Sequence, residues 1–190
     1  PLLGYELYVD LVDFTIRSAG GRSSCDILGY FFYKPYPDAG KRKTARFEKN
    51  RLRAYYNSNL HFLRSVYENR LAENGYILSM PDTGAVVTEG ITRYIPVDLG
   101  RYTQKSGDEE MLIQGQSDKN LIIRYYHKLD GTPLDLTRYK PALHPSSQSG
   151  IHLLSDTCTI LKSGIIPDNS IRFTGDMSDK RIGASLPADY

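Results

Sequence analysis

One stretch of the sequence, residues 50–68, repeats polar side chains at spacings of three and four residues. Such a spacing places side chains along one face of an α-helix. The row comprises Asn50, Arg53, Asn57, His61, Arg64 and Glu68, and the row beside it comprises Arg51, Tyr55, Ser58 and Phe62. Guanidinium groups donate hydrogen bonds in a fixed fork that matches carboxylates and phosphates. The pattern therefore favours binding of a polar or anionic ligand.

The candidate ligand-binding residues on this face are Asn50, Arg51, Tyr55, His61 and Arg64, and we expect Arg181 to approach them. Two other interpretations remain open at this point. The face is solvated and held by local pairs such as Arg64 with Glu68, as is usual for an exposed helix face. Alternatively, the side chains reach across to the sheet, where they are buried and hydrogen-bonded.

Catalytic chemistry is less well supported by the sequence. His61 could serve a hydrolase as general base if folding brings a Ser, Asp or Tyr partner to it. The sequence contains no phosphate-binding glycine motif, no His-Glu-x-x-His and no Gly-x-Ser-x-Gly. Asp10 and Asp13 differ in parity along a predicted strand, so we expect them on opposite faces. We therefore expect a non-catalytic binding module without a catalytic residue, bound metal or cofactor.

The charge and the cysteine content narrow the possible functions of the protein further. The chain has 24 basic and 22 acidic residues, a net charge of +2. Residues 41–70 hold nine basic and two acidic side chains, so nucleic-acid binding through a basic helix is a weaker alternative. Cys25 and Cys158 are too few for a zinc quartet. We expect two buried thiols, and a Cys25–Cys158 disulfide is the alternative if the fold brings the two residues together. The sequence holds no apolar run of membrane-spanning length.

Alternating residues predict strands before the helix. Residues 5–16 and 24–33 alternate in hydropathy, and Ala19-Gly20-Gly21 between them suits a hairpin turn. A stripe at helical spacing predicts one long helix over about 41–74; it comprises Leu52, Tyr56, Leu60, Leu63, Tyr67 and Leu71. Gly75 stands where a left-handed C-terminal cap belongs.

Strand patterns dominate from Tyr76 onward. The predicted strands cover 76–80, 85–95, 110–116, 120–128, 151–161 and 170–174, with a turn at Asp130-Gly131. Residues 140–150 are predicted to form a surface loop, and 177–186 a short C-terminal helix. The expected fold is a single α+β domain over 1–190, with a mostly antiparallel sheet, one long helix and the short C-terminal helix.

Four segments together carry a resemblance: LGYELYVDLVDF, LGYFFYKPY, RFEKNRLRAYYNSNLHFLRSVYENRLAENGY and GIIPDNSIRFTGDMSDKRIGASLPADY. The N-terminal matches are Leu3-Gly4-Tyr5, Asp13-Phe14, Leu28-Gly29-Tyr30, Asn50-Arg51, Ala54-Tyr55, Ser58, His61-Phe62-Leu63-Arg64, Tyr67 and Asn69. The terminal matches are Phe173, Gly175, Lys180-Arg181-Ile182 and Leu186-Pro187-Ala188-Asp189-Tyr190. This pattern resembles the C-terminal region of Bacteroidetes carboxypeptidase-like regulatory domain-containing proteins. Gly183-Ala184-Ser185 departs from it, because the family usually shows Ala-Asp and an apolar residue there.

The resemblance implies an exported cell-envelope protein of the periplasm or cell surface. It also implies an N-terminal β-sandwich as a partner within the same protein. The family name refers to that sandwich and implies no peptidase activity. Glycans, peptides and envelope proteins are the ligands that such a module is expected to bind, with no membrane span of its own.

Overall fold

A computed structural model of the chain describes residues 2–19, 22–36, 40–82, 93–115, 119–140, 144–179 and 185–190. The helices are α1 (Gly40–Tyr55) and α2 (Asn59–Tyr67), and a short 3-10 helix covers Leu99–Tyr102. The strands are β1 (Tyr5–Ala19), β2 (Arg22–Pro35), β3 (Tyr76–Pro81), β4 (Tyr94–Pro96), β5 (Thr103–Lys105), β6 (Glu110–Gln114), β7 (Leu121–Tyr125), β8 (Ser147–Leu153), β9 (Thr157–Leu161) and β10 (Ile171–Gly175).

The described strands form three sheets in which every pair is antiparallel. β1 and β2 make a hairpin; the second sheet has the order β10-β8-β7-β3-β4; the third has the order β5-β6-β9. The core lies between α2 and the two larger sheets, because Phe62 and Val66 of α2 are buried in one cluster with Ile123 of β7 and Ile160 of β9. None of the hairpin side chains whose burial the structure describes belongs to this buried cluster.

The predicted long helix over about 41–74 is wrong. The chain leaves the helix after Tyr55, and Asn57 takes a positive φ of 56°. Ser58 then begins α2 as its N-cap, accepting a hydrogen bond from the His61 amide at 3.1 Å. Asn tolerates the left-handed region and Ser is a strong cap, so two polar residues inside the apolar stripe favour a break. Side-chain spacing continues across the break, which is why the stripe looked uninterrupted.

Three further expectations about elements need correction. Residues 151–161 are two strands of different sheets, because Ser155 and Asp156 favour a turn between them. The predicted loop 140–150 ends at Ser147, where β8 begins. None of the described residues in 177–186 is helical, and 180–184 lie outside the described residues. Of the predicted strand 85–95, residues 85–92 also lie outside the described residues, and Tyr94 begins β4.

The hairpin contains a one-residue bulge that changes which side chains share a face. Leu11 pairs with Gly29 and Asp13 pairs with Leu28, so Val12 is the extra residue. Because cross-strand partners share a face, the bulge reverses the parity of every later position in β1. Asp10 and Asp13 consequently lie on the same face, and the expectation that they point to opposite faces is wrong.

Gly75 occupies a crowded turn that joins the helical region to β3. Its φ is +79°, and an added Cβ would overlap the carbonyl oxygen of Tyr126. The Tyr126 amide donates to the Gly75 carbonyl at 2.8 Å, so the two chains are held in contact. Only a residue without Cβ fits both the left-handed backbone and this approach.

Gly75→Ala should therefore lower the free energy of unfolding by about 3 kcal/mol, because a backbone clash adds to the left-handed strain. Gly131→Ala is the matched control, since Gly131 has a φ of +86° and open space around it. Strain alone should cost the control about 1 kcal/mol. Urea unfolding of both variants measures the difference, and equal losses would contradict the contact.

Candidate functional site

Asn50 and Arg51 attach helix α1 to the start of the hairpin. The Asn50 Nδ2 donates to the carbonyl oxygen of Leu2 at 2.8 Å. The Arg51 Nε donates to the carbonyl of Leu3 at 2.8 Å, and its guanidinium carbon lies 4.1 Å from the centroid of the Tyr5 ring. Both predicted ligand-binding side chains thus use their donors on the protein's own backbone.

The same attachment has an apolar part. Phe47 is the buried residue of α1, and it packs directly on Gly4, whose φ is +74°. A Cβ on Gly4 would enter the Phe47 ring, so glycine is required for this approach. The Leu3-Gly4-Tyr5 segment is therefore gripped by Phe47 and Arg51 together.

Arg64 of α2 binds the other end of the chain. Its Nε donates to the carbonyl of Ser163 at 2.9 Å, and its two terminal nitrogens donate to the main-chain oxygens of Ala188 and Tyr190 at 2.7 and 2.8 Å. The Tyr55 ring lies near both Arg64 and Tyr190. Its centroid is 5.6 Å from the centroid of the Tyr190 ring. Three of the five N–H donors of this guanidinium are therefore bonded to main-chain oxygens, which fixes the side chain on the C-terminal segment.

The C-terminal residues 185–190 also reach the hairpin. The hydroxyls of Ser185 and Tyr33 lie 2.7 Å apart. Burial raises the pKa of the Tyr190 phenol, the neighbouring Tyr5 phenol adds to the rise, and the nearby Arg51 guanidinium opposes it. Both ends of the described chain therefore meet at the polar helix face.

His61 lies in an aromatic cluster rather than in an open cleft. The other members of this aromatic cluster are Tyr55, Tyr56, Tyr76 and Tyr125. It is 4% exposed, and its Nδ1 lies 2.8 Å from the Tyr76 hydroxyl. The Asn57 amide also donates to Nδ1, at 3.4 Å, which makes this nitrogen an acceptor and the Tyr76 phenol its second donor. Burial raises the pKa of the Tyr76 phenol well above its ordinary value, so it keeps its proton. An Nδ1 occupied by two donors is closed to a substrate proton.

The predicted site residues thus fall into two groups. Asn50 and Arg51 serve the N-terminal segment, whereas Tyr55, His61 and Arg64 serve the C-terminal segment and the aromatic cluster. Arg181 lies outside the described residues. Among the described residues, no cluster of three or more His, Cys, Asp or Glu side chains could hold a metal ion.

The larger unexpected feature is the apolar hairpin face. Its members are Tyr5, Leu7, Val9, Leu11, Phe14 and Ile16 of β1 with Cys25, Ile27, Phe31 and Tyr33 of β2, facing one another by the strand register. Leu11, Phe14 and Ile16 are 54%, 49% and 63% exposed. The opposite face of the hairpin carries Glu6, Tyr8, Asp10, Asp13, Thr15, Arg17, Tyr30, Phe32 and Lys34.

Sequence reasoning missed this face because it assumed unbroken alternation. That assumption placed Phe14 on the face of Asp10, whereas the bulge returns Phe14 to the face of Leu11. Adjacent apolar residues at Leu11-Val12, which interrupt strict alternation, are the sequence feature that indicates such a bulge. Cys25 is exposed on the apolar face and Cys158 is buried, so the expectation of two buried thiols is wrong for Cys25.

Comparisons with known proteins add no relative. No family model, curated protein or solved structure matches the chain. Among the described residues, no helix has both the length and the apolar character needed to cross a bilayer.

Removing the Arg64 side chain should release the C-terminal segment. Arg64→Ala loses three hydrogen bonds, so we expect a loss of about 2 kcal/mol in the free energy of unfolding and faster amide exchange across 185–190. Arg53→Ala, at an exposed arginine of the preceding helix, should change stability by less than about 0.5 kcal/mol. Hydrogen-exchange mass spectrometry reports both, and unchanged exchange at 185–190 in Arg64→Ala would contradict the anchoring role.

The buried tyrosines of the aromatic cluster should make the free energy of unfolding fall as the pH rises in the alkaline range. Burial raises the folded-state pKa of Tyr76 and Tyr125 above the unfolded value of about 10. Their neutral forms therefore stabilise the fold fully below about pH 10, and that stabilisation is lost as the pH rises toward the folded values. Thermal unfolding between about pH 8 and 11 should show a falling midpoint.

Two variants distinguish the contribution of Tyr76 from that of Tyr125 to the alkaline loss of stability. Tyr125→Phe removes a buried hydroxyl for which the described residues supply no hydrogen-bond partner, so it should leave stability at pH 8 equal or higher and make the alkaline decline shallower. Tyr76→Phe also flattens the decline but loses the bond to His61, at a cost of about 1 kcal/mol at pH 8. Tyr30→Phe, at an exposed phenol, is the control. A decline as steep in Tyr125→Phe as in the unaltered protein would refute the assignment.

Proposed function

We propose that this chain is a non-catalytic module that binds a protein partner through the β1–β2 hairpin. The observation that carries the proposal is the apolar hairpin face, which runs from Tyr5 to Ile16 along β1 and leaves Leu11, Phe14 and Ile16 about half exposed to solvent. Apolar patches of this extent on a protein surface mark interaction sites, because their exposure to water is unfavourable. A two-stranded hairpin is only marginally stable on its own, and a partner supplies the missing packing.

The polar helix face supports this proposal as a scaffold. Arg51 and Arg64 donate hydrogen bonds to main-chain oxygens near the two ends of the described chain, and His61 is buried. Arg51 holds the base of the hairpin on α1, and Arg64 holds the C-terminal segment, whose Ser185 hydroxyl lies 2.7 Å from the Tyr33 hydroxyl of β2. A fixed base lowers the conformational entropy that the hairpin loses on binding, which favours affinity.

The alternative functions find less support in the same geometry. A His-dependent hydrolase needs an accessible imidazole, whereas His61 is 4% exposed and its Nδ1 accepts from two donors. Nucleic-acid binding by basic helix α1 would combine phosphate contacts with base stacking. Phe47 is buried and Tyr55 half-buried, so the aromatic rings of α1 are poorly placed for stacking.

The resemblance supplies the proposed setting. An exported envelope protein of the carboxypeptidase-like regulatory domain-containing type places this module in the periplasm or on the cell surface. There the hairpin face is available to an envelope protein, or to the β-sandwich of the same protein. Glycan or peptide binding by the helix face finds less support, because Asn50, Arg51 and Arg64 each donate to main-chain oxygens of the chain itself.

Site-specific photo-crosslinking tests the proposal. A benzoylphenylalanine in place of Phe14 lies on the apolar face, and one in place of Phe32 lies on the opposite face with similar exposure, 49% against 60%. In cells that make the protein, irradiation should give a discrete protein adduct from position 14 and little from position 32. Mass spectrometry identifies the adduct. Equal labelling from both positions, or none from position 14, would overturn the proposal.

A further inference from the structure

We propose that residues 185–190 form a strap that fixes the orientation of the hairpin across a hinge between α1 and α2. Helix α1 and the hairpin form one arm, residues 2–55, which turns as a unit about the break between the helices when the strap is released. The inference goes beyond the proposed function, because the motion of the hairpin takes place with or without a protein partner. Three observations carry it: the packing of the arm on itself, the backbone of the break, and the contacts of the strap on both sides of that break.

The arm is held together by contacts among its own residues. Phe47, the buried side chain of α1, packs on Gly4 at the entrance to β1, and the Arg51 Nε donates to the Leu3 carbonyl at 2.8 Å. The Tyr36 amide donates to the Gly4 carbonyl at 2.9 Å, which closes the base of the hairpin. None of the arm's side chains whose burial the structure describes belongs to the buried cluster between α2 and the larger sheets, or to the half-buried apolar side chains that pack on it. The arm is therefore a packing unit separate from the core.

Residues 55–58 join the arm to α2 and have the geometry of a hinge. Asn57 has a φ of 56°, and the Ser58 amide donates to the Tyr55 carbonyl at 3.1 Å, so the chain makes one turn between the two helices. The Asn57 Nδ2 donates to the Ser147 hydroxyl of β8 at 2.7 Å, which fixes this residue to the core. Hinges are a few residues at the ends of elements that absorb a change in backbone angles. A rotation at Tyr55 therefore turns the arm and leaves α2 on the sheets.

The strap contacts both sides of this hinge. On the core side, Arg64 of α2 donates to the main-chain oxygen of Tyr190 at 2.8 Å. On the arm side, the hydroxyls of Ser185 and Tyr33 lie 2.7 Å apart, and the Tyr190 ring centroid lies 5.6 Å from that of Tyr55. A segment that is bonded to α2 and also to β2 resists rotation at the break between them. Loss of either bond removes that resistance.

The length of the hairpin turns a small rotation into a displacement that can be measured. Cys25 pairs with Ile16, so at about 3.3 Å per residue it lies about 36 Å from Tyr5 along the hairpin. A rotation of about 10° at the base therefore moves Cys25 by about 6 Å. The apolar hairpin face moves with it, so the strap determines the direction in which that face points.

Double electron–electron resonance between two spin labels tests the proposal. One label is placed on Cys25, which is exposed on the hairpin, and the other is introduced by Arg172→Cys at an exposed position of β10; Cys158 is buried. With the labels alone, the protein should give one narrow distance distribution. Arg64→Ala should broaden the distribution or shift its mean by about 6 Å or more, because the strap is released from α2. Arg53→Ala, at an exposed arginine of the arm, is the control and should leave the distribution unchanged.

A second variant tests the strap without altering α2. Ser185→Ala removes the hydroxyl that meets Tyr33, so the distribution should broaden in this variant as well, although less than in Arg64→Ala. Ser178→Ala removes an exposed hydroxyl outside the strap and is the matched control, in which the distribution should stay narrow. If Arg64→Ala fails to fold, Ser185→Ala decides the outcome.

Two results would overturn the proposal. One is an unchanged narrow distribution in folded Arg64→Ala, or in Ser185→Ala where the first variant does not fold. The other is a broad distribution in the labelled protein with an intact strap, because the strap would then not fix the hairpin. The photo-adduct from position 14 depends on a partner and not on these distances, so the proposed function and this proposal fail separately.

Discussion

Two arginines that bind main-chain oxygens hold the rest of this structure in place. Arg51 on α1 binds the segment that enters β1, and Arg64 on α2 binds the segment that ends at Tyr190. Because α2 carries the buried side chains Phe62 and Val66, the bonds of Arg64 connect the segment that ends at Tyr190 to the core. The described side chains of the hairpin lie outside the buried cluster, so its orientation depends on the contacts at its base. Charge-assisted hydrogen bonds suit that role, since they fix direction as well as distance.

An anchored hairpin with one apolar face is better suited to recognition than to chemistry. Its base is held by Phe47, Arg51 and the hydroxyl of Ser185, whereas its middle and tip present Leu11, Phe14 and Ile16 to solvent. The aromatic cluster around His61 lies away from solvent, where burial keeps the Tyr76 phenol protonated and donating. The imidazole of His61 and the phenol of Tyr76 therefore act inside the protein as structural acceptor and donor, whereas the hairpin exposes apolar side chains to water.

Local patterns in the sequence predicted elements but could not predict where those elements are interrupted. Alternation identified the two hairpin strands, and period-two patterning also located β3, β6 and β7. The helical stripe identified the buried face of α2, yet it ran through the break because Asn57 and Ser58 change the backbone without changing the spacing of Tyr56 and Leu60. The bulge at Val12 was not predicted for the same reason, because one added residue preserves strand propensity while it reverses side-chain parity.

The candidate site shows a second limit of prediction from sequence, which lies in the chemistry of the side chains. A guanidinium fork recognises a carboxylate, a phosphate or a set of main-chain oxygens with the same geometry, so Arg51 and Arg64 look alike in a ligand site and in a scaffold. Only the distant partner decides between these roles, and here the partners of Arg64 are Ser163, Ala188 and Tyr190, about a hundred or more residues away in sequence. Residue type and local spacing hold no information about such partners. The hairpin differs in this respect, since both sides of its ladder are near in sequence and its register follows once the bulge is placed. A surface built from local pairing can therefore be derived from sequence more securely than a site built from long-range bonds.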